Sequence, residues 1–162
     1  LSPWILMLAT FSAYTAYGLV QNSPAIWICN LLTFFTTALV VTAVKGNGLK
    51  VWALILIGGA ASAGVIVALP PLLSNAALVI LTANRLPQLV RTWLNRKTAM
   101  VSAVSISSLL VALTSMTCWG LYAIFTENSF IILTTIVAMS ITISTAVLEA
   151  HIARLAKKAH LA

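Results

Sequence analysis

The chain has 162 residues, of which 61% are hydrophobic and 7% charged, with a formal net charge of +7. Soluble domains carry about 25% charged residues, so this composition cannot clothe a water-facing surface. It excludes a soluble enzyme, a nucleic-acid-binding module despite the positive charge, and a disordered chain, which would be poor in apolar residues. Two cysteines, Cys29 and Cys118, are too few for a disulfide framework or a zinc cluster; inside apolar runs they read as small buried packing residues. The composition predicts an all-α integral membrane protein.

A helical span needs about 20 mostly apolar residues. Six stretches qualify, at 3–20, 25–44, 51–69, 72 to about 94, 100–125 and 130 to about 149. Turn residues separate them, among them Gln21-Asn22-Ser23-Pro24, Lys45-Gly46-Asn47-Gly48 and Pro70-Pro71. The third span, with small residues from Gly58 to Gly64, is suited to close packing and carries no functional side chain. The fourth contains Arg85, Pro87 and Arg91 and is expected as one helix bent at Pro87, because proline removes a backbone hydrogen bond. Gln88 can offer its amide to the carbonyls so freed. The nine Lys and Arg residues fall in three groups: Lys45 and Lys50; Arg85, Arg91, Arg96 and Lys97; Arg154, Lys157 and Lys158. Six crossings place all three groups on one side, which the positive-inside rule makes cytoplasmic. The expected location is the cell (plasma or inner) membrane, with a basic cytoplasmic tail at 151–162.

The chain also repeats itself. Tyr14-Thr15-Ala16-Tyr17-Gly18 near the end of the first span echoes Trp119-Gly120-Leu121-Tyr122-Ala123 near the end of the fifth. Each has two aromatics one helical turn apart, then a short polar turn and another apolar helix. Aligned on Gln21-Asn22-Ser23 and Glu127-Asn128-Ser129, the turns differ by one residue in their distance from the tyrosine. If the fourth span opens the second repeat, the repeat has three helices, the third span is a connector, and the first repeat lacks its opening helix. The expected organisation is a partial first repeat at 1–44, a connector at 45–71, a full second repeat at 72–150 and the tail.

Asn84-Arg85-Leu86-Pro87-Gln88-Leu89-Val90-Arg91-Thr92-Trp93, followed by Arg96-Lys97-Thr98, Val101-Ser102-Ala103-Val104-Ser105-Ile106 and Trp119 to Tyr122, resembles the Pro-Gln loop signature. The chain is similar to the SWEET and SemiSWEET sugar transporters of the PQ-loop (MtN3/saliva) superfamily. That resemblance implies a three-plus-one-plus-three parallel-repeat bundle, here with six transmembrane helices and no first one, and a substrate cavity opening alternately to either side. It further implies that Tyr14, Asn30, Trp119 and Thr135 contact substrate, that Tyr17 and Tyr122 form the outer gate, and that Pro87 and Gln88 are the hinge. Thr135 where an asparagine is expected, and Tyr14 where tryptophan is commoner, depart from the family pattern.

The residues agree with such a cargo. A neutral sugar packs its C–H faces on aromatic rings and bonds laterally through its hydroxyls, and these four side chains offer both surfaces. Asn30, Thr33 and Thr37 form a polar stripe at helical spacing, as do Thr135, Thr142, Thr145 and Glu149, and such stripes point into a bundle. Helix–helix hydrogen bonding is the competing role for each. The only acids, Glu127 and Glu149, are expected away from mid-membrane, which favours passive flow over proton symport. No pair of carboxylates, buried histidine or metal-ligand cluster suggests catalysis, a cofactor or a metal, and Ser102, Ser105, Ser107 and Ser108 are expected to cap or pack a helix. The leading expectation is a passive facilitator of a mono- or disaccharide, with the bilayer and a homo-oligomer as partners and no nucleic acid. The alternatives are a carrier of an amino acid or other small metabolite, and a non-transporting receptor or assembly factor.

Overall fold

The computed structural model describes residues 3–46, 48–96 and 105–159. Among these the α-helices are α1 (Pro3–Val20), α2 (Pro24–Lys45), α3 (Leu49–Ala68), α4 (Pro71–Thr82), α5 (Leu86–Asn95), α6 (Ile106–Phe125) and α7 (Ser129–Ala159), with a 3-10 turn at Ala83–Arg85. Lys97, Thr98, the stretch 101–104 with Ser102, and His160 lie outside the described residues. The described chain is all-helical, and α2, α3, α6 and the Ser129–Leu155 part of α7 are each long and apolar enough to cross a membrane; Trp4–Val20 is a shorter apolar helix. Large side chains such as Leu32, Leu39, Leu54, Ile57, Val111 and Ile124 stand exposed along these helices. Against water that surface would aggregate; against hydrocarbon it is ordinary, since each helix satisfies its own backbone polar groups.

The helices form two compact units, Leu1–Asn84 and Arg85–Ala162. In the first, α1 is central and packs on α2, α3 and α4. Its core joins Leu8, Ala38, Val41 and Ile55, with Trp4, Phe34, Val51 and Trp52 packed around them. Within the small-residue run of α3, Gly59 is the close contact: Ser12 Oγ donates to its carbonyl at 2.7 Å, and a Cβ there would lie 3.1 Å from the Phe34 ring. Gly58 and Gly64 face open space. In the second unit, α7 packs on both α5 and α6. Ser105 caps α6, its hydroxyl accepting from Ser108 N–H at 3.1 Å.

Two expectations need correction. The fourth span is not one helix bent at Pro87. Proline lacks the N–H that would bond four residues back, and its ring crowds that carbonyl, which here belongs to Ala83. The disturbance therefore falls one turn upstream: α4 stops at Thr82, the chain passes through the 3-10 turn, and α5 restarts at Leu86 with Pro87 in its first turn. A missing N–H costs nothing at that position. The last helix does not stop near 149 either. It runs to Ala159, because the residues from Ala150 onward are mostly strong helix formers with no Gly or Pro among them.

The turns joining α1 to α2 and α6 to α7 are built alike. In the first, Gln21 N–H bonds Tyr17 O, Asn22 N–H bonds Leu19 O and Ser23 N–H bonds Gly18 O, at 2.9, 3.1 and 2.9 Å. In the second, Thr126 N–H bonds Tyr122 O, Glu127 N–H bonds Ile124 O and Asn128 N–H bonds Ala123 O, at 3.0, 3.2 and 2.9 Å. Both are Schellman closures with one left-handed residue, Asn22 at φ 49° and Glu127 at φ 53°. The pairing runs at the constant offset of 105 residues that separates Tyr17 from Tyr122. The one-residue difference expected from sequence is absent, because the left-handed residue that defines the turn is Glu127, not Asn128.

Candidate functional site

The residues singled out by sequence are distributed over the two units. Tyr14, Tyr17 and Asn30 stand in the first; Trp119, Tyr122, Thr135, Pro87 and Gln88 stand in the second.

In the first unit, Tyr14 and Thr10 lie four apart on α1 and therefore share a face. Tyr14 Oη is 2.7 Å from Thr82 Oγ1, at the last residue of α4. Thr82 in turn donates to Leu78 O at 2.8 Å. A hydroxyl has one proton, so with Thr82's proton on Leu78, Tyr14 is the donor. Thr10 accepts from Asn84 Nδ2 at 2.9 Å and donates to Leu6 O at 2.7 Å. These two chains tie the end of α4 and the following turn to α1. Tyr17 is buried, at 5% exposure. Asn30 is half-buried, and its Nδ2 donates to Ile26 O at 2.8 Å, one turn back on its own helix. Thr33 does the same to Cys29 O, and Thr37 is buried.

In the second unit, the Trp119 and Tyr122 rings meet edge to face, with centroids 5.5 Å apart at 86°, a favoured aromatic geometry. Thr135 is buried, and its Cγ2 lies 3.5 Å from where a Cβ on Gly120 would be. That separation is ordinary van der Waals contact, so Gly120 places Thr135 of α7 beside the Trp119 turn of α6. Trp119, Tyr122 and Thr135 thus belong to one α6–α7 neighbourhood, and the constant offset aligns them with Tyr14, Tyr17 and Asn30.

The rest of the α7 polar stripe is buried as expected, through Thr142, Thr145 and Glu149. Thr142 and Thr145 donate to Ala138 O and Ile141 O, both at 2.8 Å. Glu149 is 5% exposed and accepts from Thr92 Oγ1 of α5 at 2.8 Å. Glu149 thus lies inside its unit, as its place on the stripe led one to expect, and Thr92 supplies a donor there. Glu127 is exposed. Gln88 does not repair the helix break, since its buried Nε2 has no hydrogen-bond partner among the described residues. Arg96 lies over the Trp93 ring at 3.8 Å. Cys29 and Cys118 are free and exposed rather than buried, so neither packs a core.

The sequence reading gives no individual role to Thr10, Thr82 or Thr92. A signal existed for each: Thr10 lies one turn before Tyr14, Thr82 precedes Asn84 in an otherwise apolar run, and Thr92 is one turn after Gln88. Comparison with protein-family models, curated proteins and solved structures returns no match.

Proposed function

We propose that the chain is an integral membrane facilitator that moves a small neutral polyol, a mono- or disaccharide, by alternating access and without ion coupling. The observation that carries this reading is the doubled hairpin. The α1–α2 and α6–α7 pairs close on the same turn at one offset. That offset sets an aromatic pair and a hydrogen-bonding side chain in matching positions: Tyr14, Tyr17 and Asn30 against Trp119, Tyr122 and Thr135. Ring faces with lateral donors and acceptors suit a sugar. Asn30 has two N–H groups and a carbonyl, of which one N–H goes to Ile26. In this reading the helix pairs belong to a SWEET-like repeat scaffold, the break at Ala83–Arg85 with Pro87 and Gln88 is the hinge, and the ends bearing Lys45, Lys50 and Arg154 face the cytoplasm of a cell membrane.

The test is flux. Purified protein in liposomes should equilibrate a labelled mono- or disaccharide with no ion gradient. Trp119→Ala and Asn30→Ala should abolish that flux with the thermal unfolding midpoint close to wild type. Tyr14→Phe keeps the ring and loses the bond to Thr82, so flux should persist with a stability loss of about 0.6 kcal/mol. Flux unchanged in Trp119→Ala and Asn30→Ala would exclude the assigned contacts.

One observation favours a second reading. Glu149, buried and bonded by Thr92, is the kind of intramembrane carboxylate that proton-coupled carriers and carriers of cationic cargo use. An amino acid or related metabolite is then the cargo, and uptake in the same liposomes would require an imposed proton gradient and fail in Glu149→Gln.

A further inference from the structure

The first unit contains a cavity of about 310 Å³ at the end where α1 begins, α2 ends and α3 begins. Its walls include Trp4 and Leu8 of α1, Val41 and Lys45 of α2, and Leu54 and Gly58 of α3. At about 30 Å³ per molecule the space would hold roughly ten waters, each needing two to four polar partners. Among the described residues the lining side chains offer only the Lys45 ammonium and the Trp4 indole N–H. Water is therefore a poor occupant and an apolar one is favoured. Leu54, itself exposed, connects the wall to the outer apolar surface of α3.

The charge sits at one end of this space. Lys45 is the last residue of α2 and, among the described residues, the only charged one of the lining. Lys50, exposed in the first turn of α3, lies five residues further on. The chain's two acids, Glu127 and Glu149, both belong to the other unit, so no carboxylate of this unit competes for these cations. An apolar chamber with a cation at its mouth, opening onto a lipid-facing surface, matches an amphiphile with an anionic head and a hydrocarbon tail. We propose that this cavity binds an anionic phospholipid of the surrounding bilayer, one acyl chain entering between α1, α2 and α3 and the phosphate resting on Lys45. The site is independent of the transport reading and would stand if no flux were found.

The wall can be altered without forcing the backbone, because a Cβ at Gly58 would meet no atom within 4 Å. Gly58→Leu therefore fills the chamber, and Lys45→Gln removes the cation while leaving the chamber empty. The full chain, purified in detergent, is titrated with phosphatidylglycerol or phosphatidylcholine and followed by thermal unfolding and native mass spectrometry. Phosphatidylglycerol should raise the unfolding midpoint well beyond phosphatidylcholine, in proportion to occupancy. Lys45→Gln should weaken phosphatidylglycerol binding about fivefold, the value of one lysine at a membrane surface. Gly58→Leu should abolish the retained lipid in the mass spectrum. Ala9→Leu, on the α1 wall, provides a second filling variant if Gly58→Leu does not fold. Equal stabilisation by the two lipids, or full lipid retention in a folded filling variant, would overturn the proposal.

Discussion

The two hairpins make the same turn from different residues. The backbone hydrogen bonds from Tyr17 to Ser23 and from Tyr122 to Asn128 correspond one for one, yet the residues on which the six-to-one bonds close are Gly18 and Ala123. Both are buried. A Cβ added at Gly18 would lie 2.6 Å from Trp27 N and 3.0 Å from Ile26 Cβ, whereas Ala123 carries a Cβ in place. The turn is thus set by the backbone and its left-handed residue, and it closes with either glycine or alanine at the accepting carbonyl. In the first unit the closing residue thus lies against the backbone of Trp27 on α2, with no room for a side chain.

The largest expected effect breaks this difference. Gly18→Ala forces a Cβ into backbone that cannot move as a side-chain tip would, and should cost about 3 kcal/mol, the upper part of the range for overpacking. The reciprocal Ala123→Gly creates no clash and should cost about 1 kcal/mol through lost helix propensity. Thermal unfolding of the two variants in the same detergent checks the asymmetry; equal losses would mean that the approach of α1 to α2 is not set at Gly18.

Much of this was legible in the sequence. Hydropathy located α1, α2 and α3 to within two residues, because apolar length is the dominant physical signal in a span. The buried stripe from Thr135 to Glu149 was legible for the same reason, as polar residues at helical spacing in an apolar helix have few places to go. Two features were hidden. The effect of Pro87 appears at Ala83–Arg85 because the crowded carbonyl is four residues back along the helix, so a proline marks where the next helix starts rather than where the last one ends. The side-chain seams were hidden because their partners lie far along the chain, Thr10 with Asn84, Tyr14 with Thr82 and Thr92 with Glu149. Local spacing says which face a residue occupies but not which helix covers it.

Those seams supply the second contrast. The one holding α4 to α1 joins neutral groups, Tyr14 with Thr82 and Asn84 with Thr10. The one holding α5 to α7 ends on the buried Glu149 carboxylate. Removing a donor from a buried carboxylate costs the desolvation of that group as well as the bond. Thr92→Val should therefore destabilise by about 2 kcal/mol, against about 0.6 kcal/mol for a neutral interhelical bond removed by Thr82→Val. Thr92→Ser, which keeps the hydroxyl, should retain most of the stability. A double-mutant cycle with Glu149→Gln measures the coupling directly, and a coupling near zero would show that the 2.8 Å bond contributes nothing to holding α5 on α7.

The smallest effect sharpens the comparison between the turns. Each needs one residue at positive φ, a conformation that costs a residue with a Cβ about 1–2 kcal/mol. Asparagine tolerates it through local hydrogen bonding, and glycine carries no penalty. Asn22 is thus a fair choice at φ 49°, while Glu127 at φ 53° is a strained one. Relief of backbone strain in Glu127→Gly should contribute about 1 kcal/mol, and in Asn22→Gly no more than a few tenths. Glu127 also stands just before α7, where a negative charge is favourable near a helix N-terminus by about 0.3–1 kcal/mol. Glu127→Gln separates the two contributions, because it removes the charge and keeps the strained backbone. The expected order of unfolding midpoints is Glu127→Gly highest, wild type next and Glu127→Gln lowest. If wild type were instead the most stable of the three, the charge at the start of α7 would outweigh the strain, and the second turn would be held by electrostatics where the first is held by conformation.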